Sequence, residues 1–412
     1  MKYILRNKIL FAVILLVVVL FPNIIAMPQQ SRTENIITAI GIDKNDDEYE
    51  VFVQYVIPYA ESEKNSLKIM SGKGVSVGEA IENMDMEYGK NSGFAHCRAL
   101  IFNDKACEEN LTEILDYLLR IKTNTNDILL VNTRDSAGKV LECVGNLDNE
   151  FYTIINSNGI ANDQRKYQDL KSIGDYYNSQ FGESKSIAIN LIDVEENDSH
   201  SEGDSSGGED NDKSGGAKSG GSSSNTQSDA QKIKNHGELI IIKNGKKITS
   251  LTQDESKALS WFDNQIKESS VVVKNFTDGL YKNADLNFYV YNKRGRISTS
   301  FVDGKPKYTY HLKVYLRTAQ IIQNGTKMNV YEVNKKKLSD KLVYQITENI
   351  KSELFSAENH FKSYDYDVVK CNEYFHKFHP YKYADYLKTL SYGESFIKNV
   401  DFEYKIEIIQ RL

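Results

Sequence analysis

The chain has 412 residues, with 51 lysines and arginines against 57 aspartates and glutamates, for a formal net charge of -6. This length exceeds one ordinary core and predicts two or three domains. No half of the chain has the basic surface that phosphate neutralisation requires, which excludes nucleic-acid binding as a function class. The four cysteines, Cys97, Cys107, Cys143 and Cys371, form no CxxC pair. The sequence therefore indicates neither a zinc site nor a disulfide framework, and no cofactor is expected.

The first 27 residues have a membrane-targeting pattern. Lys2, Arg6 and Lys8 precede an unbroken apolar run from Ile9 to Phe21. A basic start followed by an apolar centre is typical of a secretory signal, and the positive charges stay in the cytoplasm, so the rest of the chain should be exported. The stretch 9–27 has about 19 residues, which at 1.5 Å per residue approaches the roughly 30 Å hydrocarbon core of a bilayer. Residues 1–27 are therefore predicted to be a cleaved signal or a single membrane anchor.

The end of this segment, "IIAM" at 24–27, has the frame of a bacterial lipoprotein signal except at its last residue. Ile24, Ile25 and Ala26 fit the positions before the lipid-modified cysteine, but Met27 occupies the cysteine position. A methionine side chain cannot form the thioether bond to diacylglycerol. The sequence thus predicts no lipid attachment site, and membrane association would depend on the apolar run itself.

Residues 33–195 are predicted to form an N-terminal α/β domain. Two runs rich in Ile, Val, Phe and Tyr flank the polar "DKNDDE" and indicate a hairpin. Ser76 and Glu79 have capping-box spacing at the start of a helix, and Leu111, Leu115 and Leu118 have helical spacing in a second helix. An apolar strand, "ILLV", follows at 128–131. Strands that alternate with helices are typical of a mixed α/β fold.

The stretch "FAHCRALIF" at 94–102 places a histidine beside a cysteine and raises the question of a catalytic thiol. Its apolar residues predict a strand between two helices. Successive side chains of a strand point to opposite faces, so His96 and Cys97 cannot form a nucleophile–base pair with each other. We expect Cys97 to share a buried face with Ala95, Ala99 and Ile101, and His96 to be hydrogen-bonded at a strand end. Neither is predicted to be catalytic.

Residues 196–235 differ in composition from both neighbours. The part from 196 to 232 is almost wholly Ser, Gly, Asp, Asn and Lys and cannot bury enough apolar area to offset its ordering entropy, which predicts a disordered linker. Asp210, Asp212, Ser214 and Gly215 match the first half of a calcium-binding EF-hand loop, but Gly221 stands where the loop needs its glutamate. No metal site is therefore predicted.

A second folded part follows, with a small middle domain predicted at 236–280 and a C-terminal α/β domain at 281–412. Asn244-Gly245 indicates a hairpin, and Thr252 with Glu255 indicates a capped helix carrying Leu259, Phe262 and Ile266. Long strand-like runs extend from 286 to 322 with a turn at 303–306. The next helix has one apolar stripe, and the chain closes on an alternating strand over 400–408. The stripe consists of Leu338, Leu342, Ile346, Ile350 and Leu354.

Several of these stretches together, in this order, resemble the Ger(x)C family, the C subunits of the nutrient-germinant receptors of endospore-forming bacteria. They are "AIGID" at 39–43, "GVSVGEAI" at 74–81, "GFAHCRALIF" at 93–102, the helix end 116–120, "GKKITSLTQDESKALSWF" at 245–262, "YDVVK" at 366–370 and the final strand. The similarity covers essentially the whole chain after the signal. The family normally starts at a lipid-modified cysteine followed by tryptophan, whereas this chain has Met27 and Pro28, and its central stretch is richer in Ser and Gly.

The resemblance implies three successive small α/β domains, each a mixed sheet with packed helices. It also implies a non-enzymatic subunit on the outer face of the spore inner membrane, required for the germination response. Its partners would be the membrane and the other receptor subunits, a multi-span transporter-like protein and a second membrane protein. No catalytic, cofactor or metal residues are transferred from the family.

Two alternatives come from other classes of protein. An exported cell-wall hydrolase would need a reaction centre, and the best candidate is "CNEYFHKFHPY", in which His376 and His379 could act as metal ligands near Cys371 and Glu373. Pro380 ends the helix at once, which favours an amphipathic helix end instead. A membrane-tethered solute-binding protein would need a two-lobed cleft around a hinge, and a linker as long as 196–235 argues against a hinge.

Overall fold

The computed structural model describes residues 34–56, 67–89, 91–120, 125–145, 151, 169–195, 232–235, 237–279, 281–331 and 337–410. The predicted signal or anchor, the calcium-like stretch and nearly all of the predicted linker lie outside these ranges.

Strands and helices alternate in the first part of the chain. The strands are β1 (Glu34–Asn45), β2 (Glu48–Val56), β3 (Leu67–Gly74), β4 (Asn91–Gly93), β5 (Ala99–Asn103), β6 (Leu129–Thr133) and β7 (Ser186–Glu195). The helices are α1 (Val77–Tyr88), α2 (Asp104–Glu109), α3 (Leu111–Arg120), α4 (Ala137–Gly145) and α5 (Ile173–Phe181). Ser76 caps α1 as predicted, because its hydroxyl accepts a hydrogen bond from the backbone N–H of Glu79.

The later part of the chain has longer strands and longer helices. Its strands are β8 (Lys232–Lys234), β9 (Leu239–Lys243), β10 (Lys246–Leu251), β11 (Ser269–Asp278), β12 (Tyr281–Val302), β13 (Lys305–Gln323), β14 (Thr326–Lys327) and β15 (Asp401–Gln410). Its helices are α6 (Gln253–Ser260), α7 (Asp340–Ser363), α8 (Cys371–Phe378) and α9 (Pro380–Thr389). The predicted stripe is confirmed for the four residues that lie in α7, all of which are buried, and Leu338, also buried, comes just before the capping Ser339.

The first sheet is mixed and runs in the order β10-β9-β7-β6-β5-β1-β2-β3, with β4 beside β1 and β8 beside β7. The central pairs β1–β5, β5–β6 and β6–β7 are parallel, and the outer pairs are antiparallel. Helices cover both faces, so neighbouring residues of β5 enter different cores: Leu100 packs on one side and Ile101 on the other. The mixed α/β class predicted from the sequence is confirmed.

The second sheet is built on the long antiparallel hairpin β12–β13. Strand β11 pairs with β12, and β14 and β15 pair with β13, the latter in parallel. Helix α7 packs its apolar stripe against one face of this sheet. The alternating strand predicted at the end of the chain is β15, although its apolar residues are only half-buried.

The strands of the segment 236–280 are divided between the two sheets. Strands β9 and β10 join the first sheet next to β7, and β11 joins the second. Along β9, Ile240 and Ile242 pack in the core of the first sheet, while Leu239 and Ile241 pack in the core of the second. Strand β9 is therefore the element that connects the two cores. The domain boundaries given above remain predictions.

Helix α6 ends earlier than the sequence predicts. Thr252 and Glu255 form the predicted capping box, but the helix ends at Ser260, so Phe262 and Ile266 lie in the following turn and loop. The physical reason is Lys293 of β12, which is 1% exposed and donates from its ammonium group to the carbonyl oxygens of Ser260 and Asp263. Burial lowers the pKa of Lys293 to about 7. The amine of a lysine from a distant strand thus terminates the helix, which periodicity alone cannot predict.

Below, the N-terminal half means residues 34–251 and the C-terminal half means residues 252–410.

Candidate functional site

The predicted strand across 94–102 begins only at Ala99. Residues Phe94–His96 form one turn of 3-10 helix, in which the N–H of Cys97 donates to the carbonyl of Phe94 at 3.0 Å. This turn replaces the strand alternation, so Ala95 is exposed and does not share a face with buried Cys97. His96 is also exposed and makes no hydrogen bond with a described residue, contrary to its predicted structural role. The two side chains remain separate, and the burial of Cys97 is confirmed.

All four thiols are free and buried. Burial raises the pKa of Cys97 and of Cys107 to about 12 and raises the pKa values of Cys143 and Cys371 as well. Because the thiolate is the nucleophile and the metal ligand, a thiol held in its neutral form inside a core is inert. These cysteines pack as small apolar side chains.

The two histidines of "CNEYFHKFHPY" bind in different places. His376 Nδ1 lies 2.7 Å from Glu183 Oε1, and the His376 ring stacks on Tyr383. His379 Nε2 lies 2.8 Å from the carbonyl oxygen of Thr299. Helix α8 ends at Phe378, just before Pro380, as predicted, whereas the next helix, which Pro380 opens, was not predicted. The proposed ligand set is therefore not assembled. In the parts of the chain that the structure describes, no three His, Cys, Asp or Glu side chains cluster as a metal site.

A polar cleft between the two halves is the best candidate for a functional site. Its volume is about 390 Å³. The N-terminal half contributes residues 183–185, 243 and 244, and the C-terminal half contributes residues 365–367, 372, 387, 390, 391 and 394–397. The cleft thus lies where the connection from α5 to β7 and the hairpin β9–β10 meet the chain that follows α7.

Asp367 lies at the base of this cleft and caps α8. One carboxylate oxygen accepts from the backbone N–H of Cys371 at 2.8 Å, and the other accepts from the backbone and side-chain nitrogens of Asn372, both at 2.8 Å. The cap is needed because Lys370, the residue before the helix, has a left-handed φ of 57° and no capping side chain. Burial raises the pKa of Asp367 to about 6, against the lowering effect of these donated hydrogen bonds.

Four polar contacts join the halves around Asp367. The backbone N–H of Asp367 donates to Ser186 Oγ at 3.2 Å, and Ser184 Oγ donates to Glu373 Oε1 at 2.9 Å. Lys243 Nζ donates to Asp365 Oδ2 at 3.0 Å and to the backbone carbonyl of the same residue. The fourth contact is the one between Glu183 and His376. Lys243 and Asp365 are thus paired with each other, and all four contacts join one half to the other. This arrangement fixes the two halves together.

These contacts had no signal in the sequence. Ser184, Ser186 and Lys243 are ordinary loop and strand residues, and Asp367 lies inside "YDVVK", which carries the family resemblance but has no recognisable cap spacing toward an apolar run. Each partner is more than 100 positions away along the chain. Only the tertiary fold brings them together.

The described residues contain no helix that is long and apolar enough to cross a bilayer. Residues 1–33, which include the apolar run, lie outside those ranges.

The fold and site define a mixed α/β protein of two sheets, in which β9 of the first sheet packs side chains into both cores. Two family models match it in the same order. One, described as the spore germination protein N-terminal domain, matches residues 30–194, and the other, described as spore germination B3/GerAC like, C-terminal, matches residues 237–410. The chain therefore belongs to the Ger(x)C family and is a germinant receptor C subunit involved in spore germination.

A solved structure has the same fold. The crystal structure of the GerBC protein matches with a TM-score of 0.50 and 16% sequence identity, over 92% of this chain and 99% of that chain. At this identity the match supports the fold alone. No curated protein matches the chain.

Proposed function

We propose that this chain acts as a membrane-associated, extracytoplasmic subunit of a nutrient-sensing germinant receptor and catalyses no reaction. The observation that carries the proposal is the ordered match of both family models, which together leave out little more than the signal segment and the Ser/Gly-rich stretch. The burial of the four thiols supports the absence of a cysteine nucleophile. Its partners would be multi-span, transporter-like receptor subunits in the spore inner membrane.

Membrane attachment in this proposal depends on residues 9–27, because Met27 offers no site for a lipid. An uncleaved apolar segment would hold the chain permanently, whereas one acyl chain alone binds a membrane only marginally. Fractionation of spores and sequencing of the mature N-terminus tests this step. A carbonate-resistant protein that begins at Met1 supports the anchor, and a soluble protein that begins at Met27 contradicts it.

The lipoprotein-like frame of "IIAM" allows a matched test. The Met27→Cys variant should incorporate labelled fatty acid if the remaining residues still direct lipid transfer. No labelling would mean that the frame is accidental, without bearing on the receptor role.

Assembly is the direct test of the proposed function. An affinity tag at the C-terminus of the full chain, followed by solubilisation of spore membranes, should isolate a multi-span transporter-like protein together with a second membrane subunit. Recovery of the chain alone from spores that germinate normally would contradict the proposal. Protease added outside sealed membrane vesicles of known orientation should digest the chain only when the extracytoplasmic face is accessible.

The cleft favours one second candidate, a tethered solute-binding protein. Its volume, about 390 Å³, lies in the range of small-molecule sites. Calorimetry of the purified chain with amino acids and sugars distinguishes the two. Binding that is lost in the Asp365→Asn variant would support the second candidate, and absence of heat for every compound would leave only the receptor-subunit role.

A further inference from the structure

The turn of the long hairpin β12–β13 and the corner between α8 and α9 lie side by side at one end of the hairpin. Asp303 and Gly304 make the turn with φ values of 49° and 78°. The corner packs against the hairpin just below this turn, since His379 Nε2 lies 2.8 Å from the carbonyl oxygen of Thr299. The ring of Phe301 also contacts those of Phe375 and His379, at centroid distances of 5.4 and 5.9 Å. The two elements therefore hold each other in place.

Beyond these contacts the surface exposes apolar side chains, each with a lysine next to it in sequence or across the strand pair. Val302 is 50% exposed, Phe378 57% and Tyr381 85%. These neighbouring lysines, Lys305, Lys377 and Lys382, are also exposed. The tip surface is defined here as Val302, Lys305, Lys377, Phe378, Tyr381 and Lys382. None of its three lysines forms an ion pair with a described residue, and Lys377 lies over the ring of Phe378 at 5.5 Å.

The tip surface is positive although the chain as a whole is negative. Asp303 is the acidic residue of the turn, and Asp385 of α9 is already paired with Lys388 at 2.8 Å. Three unpaired lysines therefore outnumber one unpaired aspartate, in a protein whose formal net charge is -6. Attraction to a negative surface would act at this end of the molecule and orient it.

We propose that the tip surface docks on the anionic face of a lipid bilayer. Exposed aromatic and aliphatic side chains enter the headgroup region, and lysines beside them bind anionic lipid, each strengthening binding about fivefold. A protein partner fits less well, because interface cores are depleted in lysine, whereas three of the six residues of the tip surface are lysines. This inference goes beyond the proposed receptor role. The N-terminal segment would tether the chain, and the tip surface would set its orientation.

The structure provides a matched control at the opposite end of the same hairpin. Strands β12 and β13 are paired from Val302–Lys305 back to Ala284–Gln323, roughly 60 Å along the strands at about 3.3 Å per residue. Lys274, Lys282 and Lys327 are exposed near that far end. Tyr344, 65% exposed, lies in the first turns of α7, whose capping Ser339 donates to Asp278 at the end of β11. The same substitutions can therefore be made at both ends.

The test uses the full chain incorporated into vesicles whose lipids carry bromine near the headgroup. Bromine quenches tryptophan at short range, and the native Trp261 is fully buried, so it gives a constant background. In the Tyr381→Trp variant, emission should fall in vesicles that contain phosphatidylglycerol and fall much less in pure phosphatidylcholine. The Tyr344→Trp variant should show no lipid-dependent fall. Salt should reverse the effect by screening the lysines.

In a second step, lysine charges at each end of the hairpin are reversed in the Tyr381→Trp variant. The combined change Lys305→Glu, Lys377→Glu and Lys382→Glu should abolish the lipid-dependent quenching of the Tyr381→Trp variant. The same reversal at Lys274, Lys282 and Lys327 should leave it unchanged. Equal quenching in both lipids, or equal quenching at both ends, would overturn the proposal. If neither lipid quenches the emission of the Tyr381→Trp variant, the proposal is also overturned, and a protein partner becomes the candidate for the tip surface.

Discussion

The two sheets bury their strands in different ways. In the first sheet, β5 has helices on both sides, and its neighbours Leu100 and Ile101 are both fully buried. In the second sheet, β11 has one buried face, so Val271 is 1% exposed and the next residue, Val272, 41% exposed. A strand with two cores reads as a continuous apolar run, whereas a strand with one core alternates. We therefore expect substitutions on both faces of β5, but on only one face of β11, to destabilise the protein.

The largest effect should come from core substitutions that use this difference. Leu100→Ala and Ile101→Ala should each lower the free energy of unfolding by about 2–5 kcal/mol, because each opens a cavity in a separate core. Val271→Ala should cost about 1–3 kcal/mol, and Val272→Ala should stay within about 0.5 kcal/mol. Denaturant unfolding of the four variants measures this. Equal costs for the two valines would contradict the one-sided burial of β11.

Lys293 is a buried titratable group of the C-terminal half. Its folded-state pKa, about 7, lies below the value of about 10.4 in an unfolded chain, so the unfolded state binds more protons between those values. The free energy of unfolding should therefore increase as the pH rises from about 7 to about 10, with a slope of at most about 1.4 kcal/mol per pH unit. The Lys293→Met variant should lose this increase. A wild-type curve that is flat across this range would show that Lys293 is not buried as a titrating group.

Asp367 should give a smaller effect of opposite sign. Its folded-state pKa, about 6, lies above the unfolded value of about 3.9, so the folded state binds more protons in between. The contribution of Asp367 to stability is thus present below about pH 4 and lost as the pH rises through about 6. The Asp367→Asn variant should remove this loss while weakening the α8 cap by about 1 kcal/mol. An unchanged pH profile in that variant would indicate that another group titrates there.

The smallest effect is expected from the segment between the described strands β7 and β8. Replacing residues 196–231 by a short Gly-Ser linker should hardly change the stability of either half, because the cost of closing a loop changes by only about 0.6 kcal/mol per doubling of its length. Thermal unfolding followed by circular dichroism checks this. A large fall in melting temperature would show that the segment packs on the folded halves.

The sequence predicts what depends on local pattern. The caps at Ser76 and Thr252, the Asn244-Gly245 hairpin and the stripe of α7 all follow from spacing and turn chemistry, and all are confirmed. The end of α6 and the 3-10 turn at 94–96 do not follow from local pattern. Long-range contacts of Lys293 end α6, and the apolar residues around 94–96 indicated a strand rather than a turn. The cleft was not predictable for the same reason, since its hydrogen bonds join residues that only the tertiary fold brings together.

The absence of catalysis in the receptor role is tested most directly by complementation in spores. Spores that lack this chain should fail to germinate when given the nutrient, as measured by the fall in optical density of the suspension. The intact chain should restore the response, and chains carrying His96→Ala, Cys97→Ala or His376→Gln should restore it to the same extent, provided that they accumulate to equal levels. Normal nutrient germination in spores without the chain, or loss of the response in one of these equally abundant variants, would contradict a non-enzymatic receptor subunit.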